Sequence, residues 1–121
     1  MAALIGGGVM DITAFALDGL ARRAEVRANN IANASTPNYV AKTVDFESSL
    51  RSHLLRGDLD AVAESSSFNV TQRDGIINEN GNSVDLEVET TDMVQDNLMF
   101  QAVINGFNYK VGVVRTAIGS R

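Results

Sequence analysis

The last third of this 121-residue sequence carries a heptad pattern that constrains the fold more than any other feature. Apolar residues recur seven apart, and a second set follows four residues behind: Leu86, Met93, Phe100, Phe107 and Val114, with Ile104, Val111 and Ile118. This spacing predicts one long helix over residues 85–118 with a continuous apolar seam. Such a helix is roughly 50 Å long, more than a small core covers, so we expect a partner helix.

The ends of this helix are also marked in the sequence. Ser83 or Asp85 can cap its first turn, and Gly119 can end it. The acidic residues near its start are Asp85, Glu87, Glu89 and Asp92. We attribute them to the positive end of the helix dipole rather than to acid/base chemistry.

A second helix, predicted over residues 10–34, has small residues at its heptad positions. An alanine-rich seam lets another helix approach closely, and the bulky seam of the C-terminal helix is its natural complement. We therefore predict a mainly α fold in which the two long terminal helices pack as an antiparallel coiled-coil pair. The predicted contact residues are Leu17, Ala21, Ala24 and Ala28 on the first helix and Met93, Phe100, Ile104, Phe107, Val111, Val114 and Ile118 on the second.

Between the helices we predict a small middle segment over residues 35–82, and before them a flexible N-terminus over residues 1–9. Within the middle segment, Asp45 can cap a short helix over 46–56, and Gly57 can end it. One more helical turn over 58–64 and a loop over 65–67 are expected to follow. Asp74-Gly75 then suggests a tight hairpin turn between strands at 68–72 and 75–78. Residues 83–121 complete the helical core.

The composition excludes several classes of function. The sequence has no cysteine and one histidine, so there is no thiol catalysis, no disulfide and little basis for an enzyme. A formal net charge of −5 argues against a nucleic-acid partner. We expect no membrane span and no ordinary secretory signal, because no apolar run or basic leader of the required kind is present. We also expect no cofactor.

Two other patterns have more than one interpretation. Asn78, Asn80, Asn82 and Glu89 have the spacing of calcium-loop ligands, but Ser83 replaces the required glycine, so we favour a capped helix entry over a metal site. Gly106 and Gly112 interrupt the C-terminal helix at a cost of about 1 kcal/mol each. They are either a tolerated weakness or points where a neighbouring subunit approaches closely, and both interpretations stay open.

Residues 28–39, Ala-Asn-Asn-Ile-Ala-Asn-Ala-Ser-Thr-Pro-Asn-Tyr, closely resemble the N-terminal signature of bacterial flagellar rod and hook proteins. The stretches 81–86 and 96–101 resemble the short rod proteins of that family. The signature residues carried over to this chain are Asn29, Asn30, Ile31, Ala32, Asn33, Thr36, Pro37 and Tyr39. The resemblance implies that these residues and the middle segment contact neighbouring subunits.

The resemblance also implies a function without catalysis. Such proteins are exported by the flagellar type III apparatus, fold on assembly and form the basal-body rod, the drive shaft that crosses the periplasm. The implied partners are copies of the same chain, FlgC-like and other axial subunits, a FliE-like basal adapter and the export apparatus. The alternative is a free-standing helical adapter outside any filament, which would form a small, stable oligomer. A small hydrolase or metal-dependent enzyme ranks a distant third.

Overall fold

A computed structural model describes residues 8–57 and 68–119 of the chain. The elements follow in the order α1 (Gly8–Ala32), β1 (Lys42–Val44), α2 (Phe46–Arg56), β2 (Val70–Gln72) and α3 (Leu86–Gly119). The predicted turn over 58–64 and loop over 65–67 lie outside the described residues, as do residues 1–7 of the predicted flexible N-terminus. Gly8 is already helical, so α1 begins two residues earlier than predicted.

The two long helices pack against each other in an antiparallel arrangement, which confirms the predicted fold class. Contacts between side chains establish the direction, because residue numbers fall along α3 as they rise along α1. Arg23 bonds to Asp96, and seven residues later Asn30 bonds to Glu89. In the part of the chain that the structure describes, neither long helix has a stretch apolar enough to cross a bilayer.

Local side-chain chemistry defines where α2 and α3 begin and end. The Asp45 carboxylate accepts a hydrogen bond from the Ser48 amide at 3.1 Å, and Gly57 ends α2 with a left-handed φ of 67°. Both features confirm the prediction for this helix. At α3, the Asp85 carboxylate accepts the amides of Glu87 and Val88, so the cap is Asp85 rather than Ser83.

The small sheet differs from the predicted hairpin. β2 pairs with β1 in an antiparallel ladder, with Val44 opposite Val70 and Lys42 opposite Gln72. Residues 75–78 form no strand, so the prediction of a hairpin around Asp74-Gly75 is wrong. The reason is long-range: β1 lies alongside α1 and offers β2 a partner that is already held in place, whereas an isolated two-stranded hairpin is marginal.

The apolar core is small and lies where α2 crosses α1. Its central cluster is Phe15, Leu20 and Phe46. Other buried apolar residues lie outside this cluster: Val26, Ala41, Val44 and Val84. Phe68 packs on Phe15 with ring centroids 5.2 Å apart, and Val103 of α3 covers the cluster. A side chain at Gly19 would not fit, because a Cβ there would lie 2.3 Å from the Phe46 ring. This close approach brings α2 onto α1.

The structure corrects the predicted seam of α1. Ala21, Ala24 and Ala28 are exposed, and Leu17 is half-buried. The face that packs inward consists of Phe15, Leu20, Arg23, Val26, Arg27 and Asn30. Those larger side chains bury more apolar area and form ion pairs, so α2, β1 and α3 gather on that face rather than on the alanine stripe.

The heptad seam of α3 faces α1 only in part. The half-buried positions are Ile104, Phe107, Val111 and Val114, while Met93, Phe100 and Ile118 are exposed. Near the start of α3, charged residues occupy the contact with α1 instead of the apolar seam. The exposed remainder of the seam is apolar surface that the described residues leave uncovered.

We expect Asp45→Ala to destabilise α2 by about 1 kcal/mol, because the Ser48 amide loses its acceptor. Hydrogen exchange of that amide measures the loss, with exposed Ser52→Ala as the control.

The hydrogen bonds from Ser48 lower the pKa of Asp45 below its usual range. The capping contribution is therefore present above pH ~3.9 and is lost as the pH falls through the lowered pKa. If the protection of the Ser48 amide, relative to its intrinsic exchange rate, did not change with pH in this range, this assignment would be contradicted.

Candidate functional site: the ion cluster and the signature loop

Three arginines and four carboxylates meet between α1, α3 and the strands. This ion cluster consists of Arg23, Arg27, Arg73, Glu47, Glu89, Asp92 and Asp96. Glu89 has no exposed surface, and Arg23, Arg27 and Asp96 are nearly as buried. Charges buried to this degree are costly unless they are paired, so their partners define how the elements fit together.

Arg23 joins three elements. Its Nε donates to the Val44 carbonyl of β1 at 3.1 Å, and its Nη1 donates to Asp96 Oδ1 of α3 at 3.2 Å. Its Nη2 donates to Glu47 of α2, and its guanidinium lies 4.7 Å from the centroid of the Phe46 ring. A planar guanidinium has five N–H donors in a fixed geometry, so one side chain can orient all three elements at once.

Arg27 and Arg73 approach the acidic face of α3 from two sides. Arg27 Nε donates to Asp96 Oδ2 at 2.5 Å, and its Nη1 donates to Asp92 Oδ2 at 3.2 Å. Arg73, just after β2, donates to Glu89 Oε1 at 2.9 Å and to Asp92 Oδ2 at 2.6 Å. Burial lowers the pKa of Arg73, but the hydrogen bond to Asp92 and the charge of Glu89 outweigh it and raise the pKa.

Asn30 links the ion cluster to the chain that follows α1. It is fully buried, and its amide donates to the Lys42 carbonyl at 2.8 Å and to Glu89 Oε1 at 3.1 Å. Its carbonyl accepts the Lys42 amide at 3.0 Å and the Tyr39 hydroxyl at 3.1 Å. The Asn30 side chain therefore bonds both the carbonyl and the amide of Lys42, which places the first residue of β1 beside α1.

Asn82 plays the corresponding role at the end of α1. Its amide donates to the carbonyls of Asn33 and Thr36 at 2.8 and 2.7 Å, and its carbonyl accepts the Val84 amide at 2.8 Å. Both carbonyls belong to the turn that follows α1, where the Asn33 carbonyl also accepts the Thr36 amide at 3.0 Å. Asn82 thereby fixes the loop after α1 against the start of α3.

The loop after α1 and the segment before α3 cross at Gly81, where there is no room for a side chain. Gly81 has a φ of 79°, and a Cβ there would lie 2.2 Å from Asn38 Oδ1. Asn38 has a positive φ of 63°, and its amide donates to the Asn80 carbonyl at 2.9 Å. Ser83 closes the same crossing, because its hydroxyl accepts the Ala41 amide at 2.8 Å.

The structure brings only some of the signature residues together. Asn30 is buried, and Asn33 and Tyr39 are half-buried within the same hydrogen-bonded region. Ile31 is also half-buried, whereas the exposed members are Asn29, Ala32, Thr36 and Pro37. The buried and half-buried polar residues of the signature thus bond within this chain's own loop, whereas the exposed ones lie at the surface.

The ion cluster was missed by sequence reasoning, although a signal was present. Arg23, Arg27 and Asn30 are four and three residues apart on α1, and Glu89, Asp92 and Asp96 are three and four apart on α3. Such spacing places each set on one helix face. The attribution of Glu89 and Asp92 to helix-start electrostatics is therefore corrected: both pair with arginines, while only Asp85 and Glu87 remain exposed at the helix start.

The residues with calcium-loop spacing do not converge. Asn82 bonds backbone groups at the end of α1, whereas Glu89 is held by Asn30 and Arg73 inside the ion cluster. Among the described residues, there is no group of three or more histidines and carboxylates placed to hold a metal ion. The site as a whole is a set of fixed ion pairs and amide hydrogen bonds, and what it does chemically is orient chain segments.

Comparison with known proteins points to one family. Residues 10–39, which span most of α1 and the signature loop, match the family model described as flagella basal body rod protein. The chain is similar to flagellar basal body rod protein FlgB of Bacillus subtilis, at 31% identity over 115 residues covering 84% of this chain and 89% of that protein. FlgB proteins of Borreliella burgdorferi and Salmonella typhimurium are each 32% identical and cover 74% and 71% of this chain, and 79% and 75% of their own lengths.

We expect Asn30→Ala to loosen the start of β1, because it removes the acceptor of the Lys42 amide and a donor to buried Glu89. Leaving such groups unpaired costs about 1–3 kcal/mol, so exchange of the Lys42 amide should quicken by roughly tenfold to a hundredfold. Neighbouring Asn29 is exposed, and Asn29→Ala is the matched control. Equal exchange rates in the two variants would show that Asn30 does not hold this strand.

Proposed function

Because this chain belongs to the FlgB family of flagellar basal body rod proteins, we propose that it is a structural subunit of the proximal rod, without catalytic activity. In this proposal it leaves the cytoplasm through the flagellar type III apparatus without a cleaved signal peptide. It completes its folding when it joins the axial drive shaft in the periplasm. Its neighbours are further copies of the chain, FlgC-like and other axial subunits, and a FliE-like adapter at the base.

The observation that carries this proposal is the uncovered apolar surface of α3. Residues 97–109 contain no charged side chain, yet most of this stretch is exposed. Leu98 and Tyr109 are 64% and 73% exposed, and Val94 and Val113 are about half exposed. A helix that is apolar on most sides belongs in a buried environment, and neighbouring subunits of a rod would provide one.

The thin core supports the second part of the proposal, folding on assembly. Among the described residues, the buried apolar cluster consists of three side chains, four other apolar residues are buried outside it, and the start of α3 meets α1 through the ion cluster. Buried ion pairs recover little more than their desolvation cost, so they select one arrangement of the helices while adding little net stability. Such a chain unfolds easily enough for export and gains its missing burial from neighbours.

The test is a strain in which the gene for this chain is deleted and then restored. We expect the deletion to abolish motility and to remove rods from purified basal bodies, and the restored, tagged chain to be present in those basal bodies. Electron microscopy and immunoblotting measure both results. Normal motility of the deletion strain, or a restored chain found only as a small oligomer outside basal bodies, would favour the free-standing adapter.

Substitutions at Gly112 distinguish the two interpretations of this glycine: a point where a neighbouring subunit approaches closely, or a residue whose cost to the helix is tolerated. Apart from its chain neighbours and the backbone of its own helical turns, no atom of the described chain lies within 4 Å of a Cβ built at Gly112. Gly112→Leu should therefore be harmless to the single chain and even favour helix by a few tenths of a kcal/mol or more. If a neighbouring subunit packs there, the same substitution should block rod formation, whereas the smaller Gly112→Ala should reduce it less. Normal rod yield with leucine at this position would mean that the glycine is only tolerated.

A further inference from the structure

An asparagine–glycine pair lies where the loop after α1 and the segment before α3 cross. Asn80 precedes Gly81, and Asn80 is exposed to solvent. An asparagine followed by glycine is the pair most prone to deamidation, because glycine has no Cβ to keep its backbone nitrogen away from the asparagine side chain. The sequence has a second such pair, Asn105–Gly106, which is also exposed but lies in the middle of α3.

Deamidation of this pair needs no reactant besides water. The Gly81 nitrogen loses its proton to solvent and attacks Cγ of the Asn80 side chain, and the side-chain nitrogen leaves as ammonia. Water then opens the resulting cyclic imide at either of its two carbonyls. One product is aspartate. The other is isoaspartate, in which the backbone runs through the former side chain and is longer by one carbon atom.

The folded crossing holds the reacting groups in other bonds. The Gly81 amide donates to the Asn78 carbonyl at 2.8 Å, so the proton that must leave is already shared with an acceptor. Asn80 Oδ1 accepts the Asn82 amide at 3.2 Å, and the Asn80 carbonyl accepts the Asn38 amide at 2.9 Å. Because these bonds fix the chain on both sides of the attacked carbon, the reaction requires that the crossing open first.

The isoaspartate product does not fit the crossing. A Cβ at Gly81 would already lie 2.2 Å from Asn38 Oδ1, so there is no space here for additional atoms. Asn82 is fully buried two residues after Asn80, where its amide donates to the carbonyls of Asn33 and Thr36. A backbone that is longer by one atom at position 80 displaces Asn82 from these carbonyls.

We infer that Asn80 is a site of spontaneous deamidation in chains that have not yet folded, and that the folded crossing both prevents the reaction and excludes the isoaspartate product. The consequence for assembly rests on the proposed rod function. A chain that stays unfolded for long before it joins the rod loses the ability to form the crossing, whereas a chain in the rod keeps Asn80 intact. Deamidation at Asn80 therefore removes aged chains from the supply of subunits.

Site-specific rates of deamidation test the protection. Basal bodies that contain the chain, and the purified chain unfolded in urea, are incubated in one mildly alkaline buffer made with water enriched in the heavy isotope of oxygen. Mass spectrometry of peptides counts the label at Asn80 and Asn105, and an isoaspartate methyltransferase identifies the isoaspartate. We expect similar rates at both sites in urea. In basal bodies Asn80 should react about tenfold or more slowly than in urea, because its hydrogen bonds must open first.

Two controls accompany these rates. A peptide of residues 76–86 without urea should react as fast as the unfolded chain, which excludes an effect of the denaturant. Asn105 should also slow in basal bodies, because the Gly106 amide is bonded within α3. If Asn80 reacts as fast in basal bodies as in urea, the inference is wrong, although the rod function stands. A chain absent from basal bodies is a failure of that function instead, and the purified chain at high concentration without urea then decides the inference.

Backbone length at the crossing is tested separately in the deletion strain. Asn80→Asp keeps the backbone length and an acceptor for the Asn82 amide, so we expect it to enter basal bodies normally. A glycine inserted between Asn80 and Gly81 lengthens the backbone and should prevent entry. A glycine inserted between Asp74 and Gly75, both exposed, is the matched control and should be tolerated. Normal rods with the insertion at Gly81 would show that the crossing accepts a longer backbone and would overturn the exclusion of isoaspartate.

Discussion

The buried arginines between α1 and α3 are the interaction on which the rest of the structure depends. Arg23 and Arg27 of α1 both reach Asp96, and Arg27 also reaches Asp92. Sliding one helix by a turn would leave at least one of these charges buried without its partner, which costs about 3–5 kcal/mol. An apolar seam tolerates such a shift much better. The ion pairs therefore select one register, and the small apolar core around Phe15 is assembled within it.

The signature loop is an extension of the same arrangement. Glu89 accepts hydrogen bonds from both Asn30 and Arg73, so α1, α3 and the segment after β2 share one buried carboxylate. Asn30 then fixes the start of β1, and Asn82 fixes the end of α1 against the entry to α3. The sequence signature of this family thus has a structural role within the subunit, and its outer residues are exposed at the surface.

Local chemistry made parts of the fold predictable from the sequence. Asp45 and Asp85 accept hydrogen bonds from amides a few residues away, and the Gly57 amide donates to the carbonyls of His53 and Leu54. Because these contacts are local, the bounds of α2 and the start of α3 could be predicted correctly. The alanine stripe of α1 failed as a guide because small residues at heptad spacing say little about which face packs. The β1–β2 pairing and the Arg73 contacts join residues far apart in the chain, and no local pattern indicated them.

The central claim is that the ion pairs of the single chain fix the register of α1 against α3, but that the chain buries too little apolar surface to be stable alone. Far-ultraviolet circular dichroism of the purified chain over a wide range of concentrations, with limited proteolysis alongside, tests it most directly. The account predicts weak helicity and rapid cleavage in both terminal segments at low concentration, with helicity rising as copies associate. Full helicity and protease-resistant ends at every dilution would contradict it and would identify a self-sufficient helical module.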